Sequence, residues 1–101
     1  MSQSFKVIPG TKDLLPPEST HWQNVEQTIR EHLAHYAYDE IRTPILENTN
    51  LFVRSIGTET GVVQKEMYTF DDKGGDSVTM RPEGTASVVR SYIENNLARQ
   101  D

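Results

Sequence analysis

Apolar residues recur at steps of three and four from Trp22 through Val25, Ile29 and Leu33 to Tyr36, with Gln23, Glu26, Gln27, Arg30 and Glu31 between them. This spacing lays one apolar stripe along a helix of about five turns. The helix is expected to start at the Pro16-Pro17 pair, because proline is tolerated in a first turn and Glu18 complements the positive end of the dipole. Ahead of it, Phe5, Val7 and Ile8 make an extended arm that Gly10 punctuates. Beyond it, Tyr38 to Ile45 reads as a strand with Ile41, Thr43 and Ile45 on one side, and Pro44 limits it to an edge or an end. A shorter helix follows from Thr49 or Asn50, with Leu51, Phe52 and Ile56 as its buried side and Gly57 as its stop.

Residues Thr58 to Gln64 form a largely polar connection into an extended run, Met67 to Phe70. Asp71-Asp72-Lys73-Gly74-Gly75-Asp76 then supplies turn residues able to adopt positive φ, so Ser77 to Arg81 should return antiparallel as a hairpin. Gly74-Gly75 lacks the spacing and the Lys-Ser/Thr ending of a phosphate loop. Pro82 removes a backbone donor and pushes Arg81 toward extended geometry, which ends the strand running through Val78 and Met80. Gly84 permits a sharp turn. Thr85 is a good N-cap, with Ala86, Val89, Ile93 and Leu97 following at helical spacing. Glu83 therefore sits beside a helix N-terminus, whose partial positive charge favours an ionised carboxylate suited to a cationic group such as an ammonium. A plain helix cap with an exposed glutamate is the alternative.

Composition narrows the class. At 101 residues the chain makes at most one small domain, one that buries only a little over ~60% of its unfolded surface. With 35% hydrophobic and 25% charged residues and no apolar run long enough to cross a membrane, it reads as a soluble globular protein. The opening MSQSFKVIPG lacks an apolar signal core, so a cytosolic location is expected. The absence of cysteine excludes disulfides, thiolate catalysis and cysteine-based metal sites. A net charge of −5 with scattered basic residues gives no stripe for nucleic acid.

Candidate chemistry is sparse. His21, His32 and His35 lie on the first helix without a convincing partner carboxylate and without a zincin pattern, so they read as surface or core-edge residues and no metal site is expected. No serine is framed as a nucleophile elbow. Arg81 could contact a phosphate or carboxylate, but an arginine alternating to the other sheet face and pairing with an acid reads at least as well, so it stays outside the site. Glu83, Gly84 and Thr85 remain.

Lys65-Glu66-Met67-Tyr68-Thr69-Phe70, a polar turn, and then MRPEGTASVVRSY together resemble the catalytic domain of the histidyl-tRNA synthetases, class II aminoacyl-tRNA synthetases. Gly10 to Pro16 resembles the family's opening, and Tyr38 to Glu47 resembles its first class-defining motif. The resemblance implies an α/β fold of the α+β type, an antiparallel sheet flanked by helices. It makes residues 1–101 an N-terminal segment of that catalytic domain. The second motif's ATP-binding arginine, the third motif, the histidine-specificity loop and the anticodon-binding domain are absent from it.

The same resemblance implies that Glu83 and Thr85 grip the α-amino group of bound L-histidine, with Gly84 letting the main chain approach, and it places Pro44 at a homodimer interface. On the residues alone, Pro44 marks only an edge or a turn. For the parent protein it implies a ligase that uses ATP, with Mg²⁺, to make histidyl-adenylate and charge tRNA(His), while this segment supplies part of the histidine pocket and is inactive by itself. Two alternatives stand beside it. One is a histidyl-synthetase-like regulatory subunit of ATP phosphoribosyltransferase, which senses histidine; the other is a stand-alone binding or dimerisation module that completes its sheet with a partner.

Overall fold

The computed structural model describes residues 4–56 and 66–99, and the chain divides into two compact units, Met1–Glu40 and Ile41–Asp101. In the first unit, an extended arm turns at Gly10, whose φ is +91°, with the Thr11 N–H donating to the Ile8 carbonyl at 3.0 Å. Helix α1, Glu18–Ala34, starts directly after Pro17 as the sequence predicts, and Lys12 reaches Glu18 at 2.8 Å across its first turn. Its stripe of Trp22, Val25, Ile29 and Leu33 stays 42–53% exposed, and no residue of the helix is buried. The helix ends through Ala37 at φ +60°, a left-handed position, where the Tyr38 N–H returns to the Leu33 carbonyl at 3.2 Å. All three histidines are exposed, and His32 meets the Tyr36 ring at 5.2 Å between centroids.

Among its described residues, the second unit holds a three-stranded antiparallel sheet with helices packed beside it. Strands β1 (Leu46–Asn48), β2 (Thr69–Asp71) and β3 (Ser77–Met80) lie in the order β1-β3-β2. The β2–β3 hairpin is the predicted one. Asp72 Oδ1 accepts from the N–H groups of Gly74 and Asp76 at 2.8 and 3.0 Å, and Gly75 takes φ +90°. Helix α2, Thr49–Ile56, follows β1 without a loop, and Asn48 Oδ1 accepts from the Asn50 N–H at 2.9 Å to start it. Helix α3, Thr85–Glu94, follows β3 and runs into a 3-10 turn, Leu97–Arg99. Gly57, the connection Thr58–Gln64 and the side chain of Ile56 lie outside the described residues.

The strand expected from Tyr38 to Ile45 forms later, at Leu46–Asn48. A ladder extends only as far as its partner. Leu46 pairs with Met80, the Arg81 N–H donates to the Ile45 carbonyl at 2.9 Å, and Pro82 then turns the partner away.

The covered face of the sheet is polar. Glu47, Thr79 and Thr69 form one cross-strand row, whereas Leu46, Met80 and Phe70 occupy the other face and remain 45–48% exposed. Hydroxyls satisfy one another on the covered side: Thr79 Oγ1 lies 2.9 Å from Thr69 Oγ1 and 2.8 Å from Thr49 Oγ1, which in turn meets Ser77 Oγ at 2.7 Å. Paired in this way, buried hydroxyls lose little relative to water. Helix α2 packs against β1, β3 and α3. Phe52 of α2 is fully buried, which contributes about 1.5–3 kcal/mol.

Helix α3 differs from its expected face. Val89 and Ile93 are 50% and 67% exposed, while Ala86 and Ser87 are buried and Arg90 is half-buried. Small residues let the helix lie close to α2, and Arg90 has a partner on the sheet that the apolar pattern could not announce. Ser87 is fully buried, and its Oγ has no hydrogen-bond partner among the described residues. A hydroxyl buried this way costs about 1–3 kcal/mol, so Ser87→Ala is expected to raise the urea midpoint by roughly 1 kcal/mol of stability. An unchanged or lower midpoint would show that the hydroxyl is satisfied in the folded protein.

Candidate functional site

The turn Pro82–Thr85 joins the centre strand of the sheet to α3. Its N-cap residue is Gly84 rather than the predicted Thr85, and Thr85 is the first helical residue. The orphan donors of the helix are answered by Glu83 instead. Its Oε2 accepts from the Thr85 N–H at 2.6 Å and its Oε1 from the Ala86 N–H at 3.0 Å. Both readings of Glu83 from sequence thus meet in one side chain: it caps the helix, and the same two bonds fix a half-buried carboxylate at the positive end of a dipole. Each carboxylate oxygen keeps acceptor capacity beyond the bond it makes.

Gly84 takes φ −103°, a conformation open to any residue, so the turn does not need glycine for its backbone angles. A Cβ built there would meet nothing within 4 Å. Thr85 is exposed beside it. Glu83, Gly84 and Thr85 thus share one turn, with open space next to Gly84. Pro44 is exposed and precedes β1; it does not lie in a strand. Arg81 is committed elsewhere. Its Nη1 donates to the carbonyl and to Oγ1 of Thr43 at 3.1 and 3.2 Å, where an acid was the expected partner.

The feature missed by sequence reasoning is an ion pair between β1 and α3. Arg90 Nε lies 3.0 and 3.1 Å from the two oxygens of Glu47, whose side chain is 7% exposed, and Arg90 Nη1 lies 2.8 Å from Glu94. The hydrogen bond to Glu94 raises the Arg90 pKa above its ordinary value; desolvation opposes the rise, and the bond and charge of Glu47 add to it. The partners are too far apart in sequence for local spacing to join them. With the strand read as ending at Ile45, the sequence offered no signal that Glu47 would face inward and need a cation.

Among the described residues no group of three or more His, Cys, Asp or Glu could hold a metal ion, and no helix is long and apolar enough to cross a membrane. A depression of 440 Å³ lined by Leu46, Glu47, Phe70, Asp72, Asp76 and Val78, among others, does not include the 83–85 turn. The turn carries a half-buried carboxylate and an exposed hydroxyl residue side by side.

The helix-cap role is separable from ligand binding. Glu83→Ala is expected to lower stability by about 0.5–2 kcal/mol through loss of the α3 cap, and Glu83→Gln, which keeps one acceptor oxygen, by less. Urea denaturation without ligand checks this; equal midpoints for Glu83→Ala and the parent would contradict it.

A family model described as histidyl-tRNA synthetase matches residues 10–101. Among curated relatives, the histidine–tRNA ligase of Anoxybacillus flavithermus (strain DSM 21510 / WK1) is 55% identical over 94 residues, 93% of this chain and 22% of that protein. The histidine–tRNA ligase of Lysinibacillus sphaericus (strain C3-41) is 58% identical over the same shares. Among solved structures, apo S. aureus histidyl-tRNA synthetase superposes with a TM-score of 0.80 at 46% identity, over 96% of this chain and 22% of that one. An ATP phosphoribosyltransferase regulatory subunit/histidyl-tRNA synthetase from Bacillus halodurans C, 23% identical with a TM-score of 0.75 over all of this chain and 26% of that one, shares the fold. The chain thus spans 22% of the length of the curated relatives it matches.

Proposed function

Because the chain belongs to the histidyl-tRNA synthetase family, we propose that it works as part of the catalytic domain of a histidine–tRNA ligase, in which Glu83 and Thr85 hold the α-ammonium of L-histidine. The observation that carries this reading is the capped carboxylate of Glu83, fixed by the Thr85 and Ala86 N–H groups beside an open Gly84. An ammonium has three donors and needs ionised or strong neutral acceptors around it. Glu83 needs no reorganisation to accept one, and the Thr85 hydroxyl supplies a neutral acceptor next to it. Open space at Gly84 lets the ligand lie close to the main chain.

In the whole ligase, the histidine carboxylate attacks the α-phosphate of ATP, the α–β phosphoanhydride bond breaks and pyrophosphate leaves to give histidyl-adenylate; a hydroxyl of tRNA(His) then attacks the histidyl carbonyl and AMP leaves. This segment's share is to orient the amino acid, because the ammonium anchor fixes where the reacting carboxylate points. Mg²⁺ for the whole ligase is part of this proposal; it is usually held by one or two carboxylates together with substrate phosphates. A homodimer with Pro44 at its seam belongs to the same proposal. Its support within this chain is that both neighbours of Pro44 are tied to Arg81, Thr43 through the guanidinium and Ile45 through the main chain, which presents the exposed proline on a fixed segment. The proposal includes a cytoplasmic location. The ligase reading is preferred to a histidine-sensing regulatory subunit because ligase relatives are 55–58% identical, whereas the regulatory-subunit neighbour, at 23%, shares only the fold.

The test is histidine-dependent pyrophosphate exchange by a full-length ligase carrying this segment. A charge-assisted hydrogen bond is worth ~1.5–3 kcal/mol, so Glu83→Gln is expected to lower kcat/KM for histidine by about ten- to a hundredfold. Thr85→Ala, which removes a neutral partner, should cost less. Unchanged kinetics in Glu83→Gln would overturn the assignment.

A further inference from the structure

We infer that Glu47 is a positioning residue for the amino-acid grip, acting through Arg90; the inference rests on the reading of Glu83 and Thr85 given above. Glu47 stands opposite Thr79 in the β1–β3 register, and β3 leads through Arg81 into the turn that carries Glu83. Helix α3 then runs back, and Arg90 on it meets the Glu47 carboxylate, its Nε lying 3.0 and 3.1 Å from the two oxygens. The strand–turn–helix is therefore fastened to one residue at both ends, by the main-chain ladder on one side and by the guanidinium on the other. Glu83 lies at its apex.

Burial gives this brace its stiffness. Glu47 is 8% exposed and sits in the row of Thr79 and Thr69, whose hydroxyls bond to each other. A carboxylate placed there demands its cation, and the demand sets where α3 lies on the sheet. Glutamine at this position has nearly the same shape but turns one of the two oxygens into an amide N–H₂ group, which cannot accept from Nε. Arg90 keeps Glu94 at 2.8 Å, so its charge is not left orphaned and the fold has a reason to survive. With the charge gone and only one oxygen left to accept from Nε, the helix is held less firmly in its registration on the sheet, and the Glu83 carboxylate with it.

The experiment compares Glu47→Gln and Glu83→Gln in a full-length ligase carrying this segment, with KM for histidine, KM for ATP, kcat of pyrophosphate exchange and Tm measured for each. Displacing an anchor by about 1 Å costs up to ~10²-fold, so Glu47→Gln is expected to raise KM for histidine about tenfold or more. Because the anchor also orients the reacting carboxylate, kcat is expected to fall with it, whereas KM for ATP should stay within about twofold. A histidine KM unmoved in Glu47→Gln but raised in Glu83→Gln overturns the positioning role. So does a parallel loss in all three constants with a lowered Tm, which would make the pair a stabiliser only. A histidine KM unmoved in Glu83→Gln defeats the underlying site reading instead, and so tells the two failures apart. Should Glu47→Gln not fold, Arg90→Lys, which keeps the cation and loses the Nε donor, carries the same expectation and the same overturning result.

Discussion

A sheet face that carries Glu47, Thr79 and Thr69 can be covered only by elements that answer each of its polar groups. Unanswered, the carboxylate alone would cost several kcal/mol to bury. Thr49 at the start of α2 answers the hydroxyls at 2.8 Å from Thr79, and Arg90 on α3 answers the carboxylate. Those two contacts decide which helix faces turn inward. They explain why α3 buries Ala86 and Ser87 and leaves Val89 and Ile93 half or more exposed. The position of Glu83 follows, because it is the residue that enters α3 from the sheet.

Glu83 serves two demands with one carboxylate. The first turn of a helix leaves N–H groups without partners, and Glu83 satisfies those of Thr85 and Ala86. In doing so it becomes an anion of fixed direction beside a glycine whose missing Cβ faces open space. On the proposed reading, stability and binding draw on the same side chain, in a segment whose buried apolar residues, among those described, are Phe52 and Ala86. Elsewhere apolar surface is open: Leu46, Phe70 and Met80 on the uncovered sheet face, and the stripe of α1. Strands β1 and β2 are both edges, and exposed edges invite pairing. Such a sheet suits a segment that matches 22% of the length of its relatives.

Local signals were legible wherever the cause is local. The stripe from Trp22 to Leu33 predicted α1, the turn residues Asp71 to Asp76 predicted the hairpin, and Pro82 predicted the end of β3. The strand assigned to Tyr38–Ile45 was misplaced because its extent is set by a distant partner, Ser77–Met80, and by where that partner turns. The face of α3 was misread for a related reason: apolar spacing cannot see that the sheet beneath is polar. Glu83, Gly84 and Thr85 were found together because they are adjacent in sequence. Glu47 and Arg90 were not, since nothing short of the register of β1 on β3 brings them together.

The most direct test of the central claim is a crystal structure of the full-length ligase carrying this segment, with L-histidine bound. The account predicts the ligand ammonium at ~2.7–2.9 Å from a Glu83 oxygen, with the Thr85 and Ala86 N–H groups still donating to the same carboxylate and Arg90 still on Glu47. A histidine ammonium held by other residues, with Glu83 serving only its own helix, would contradict it.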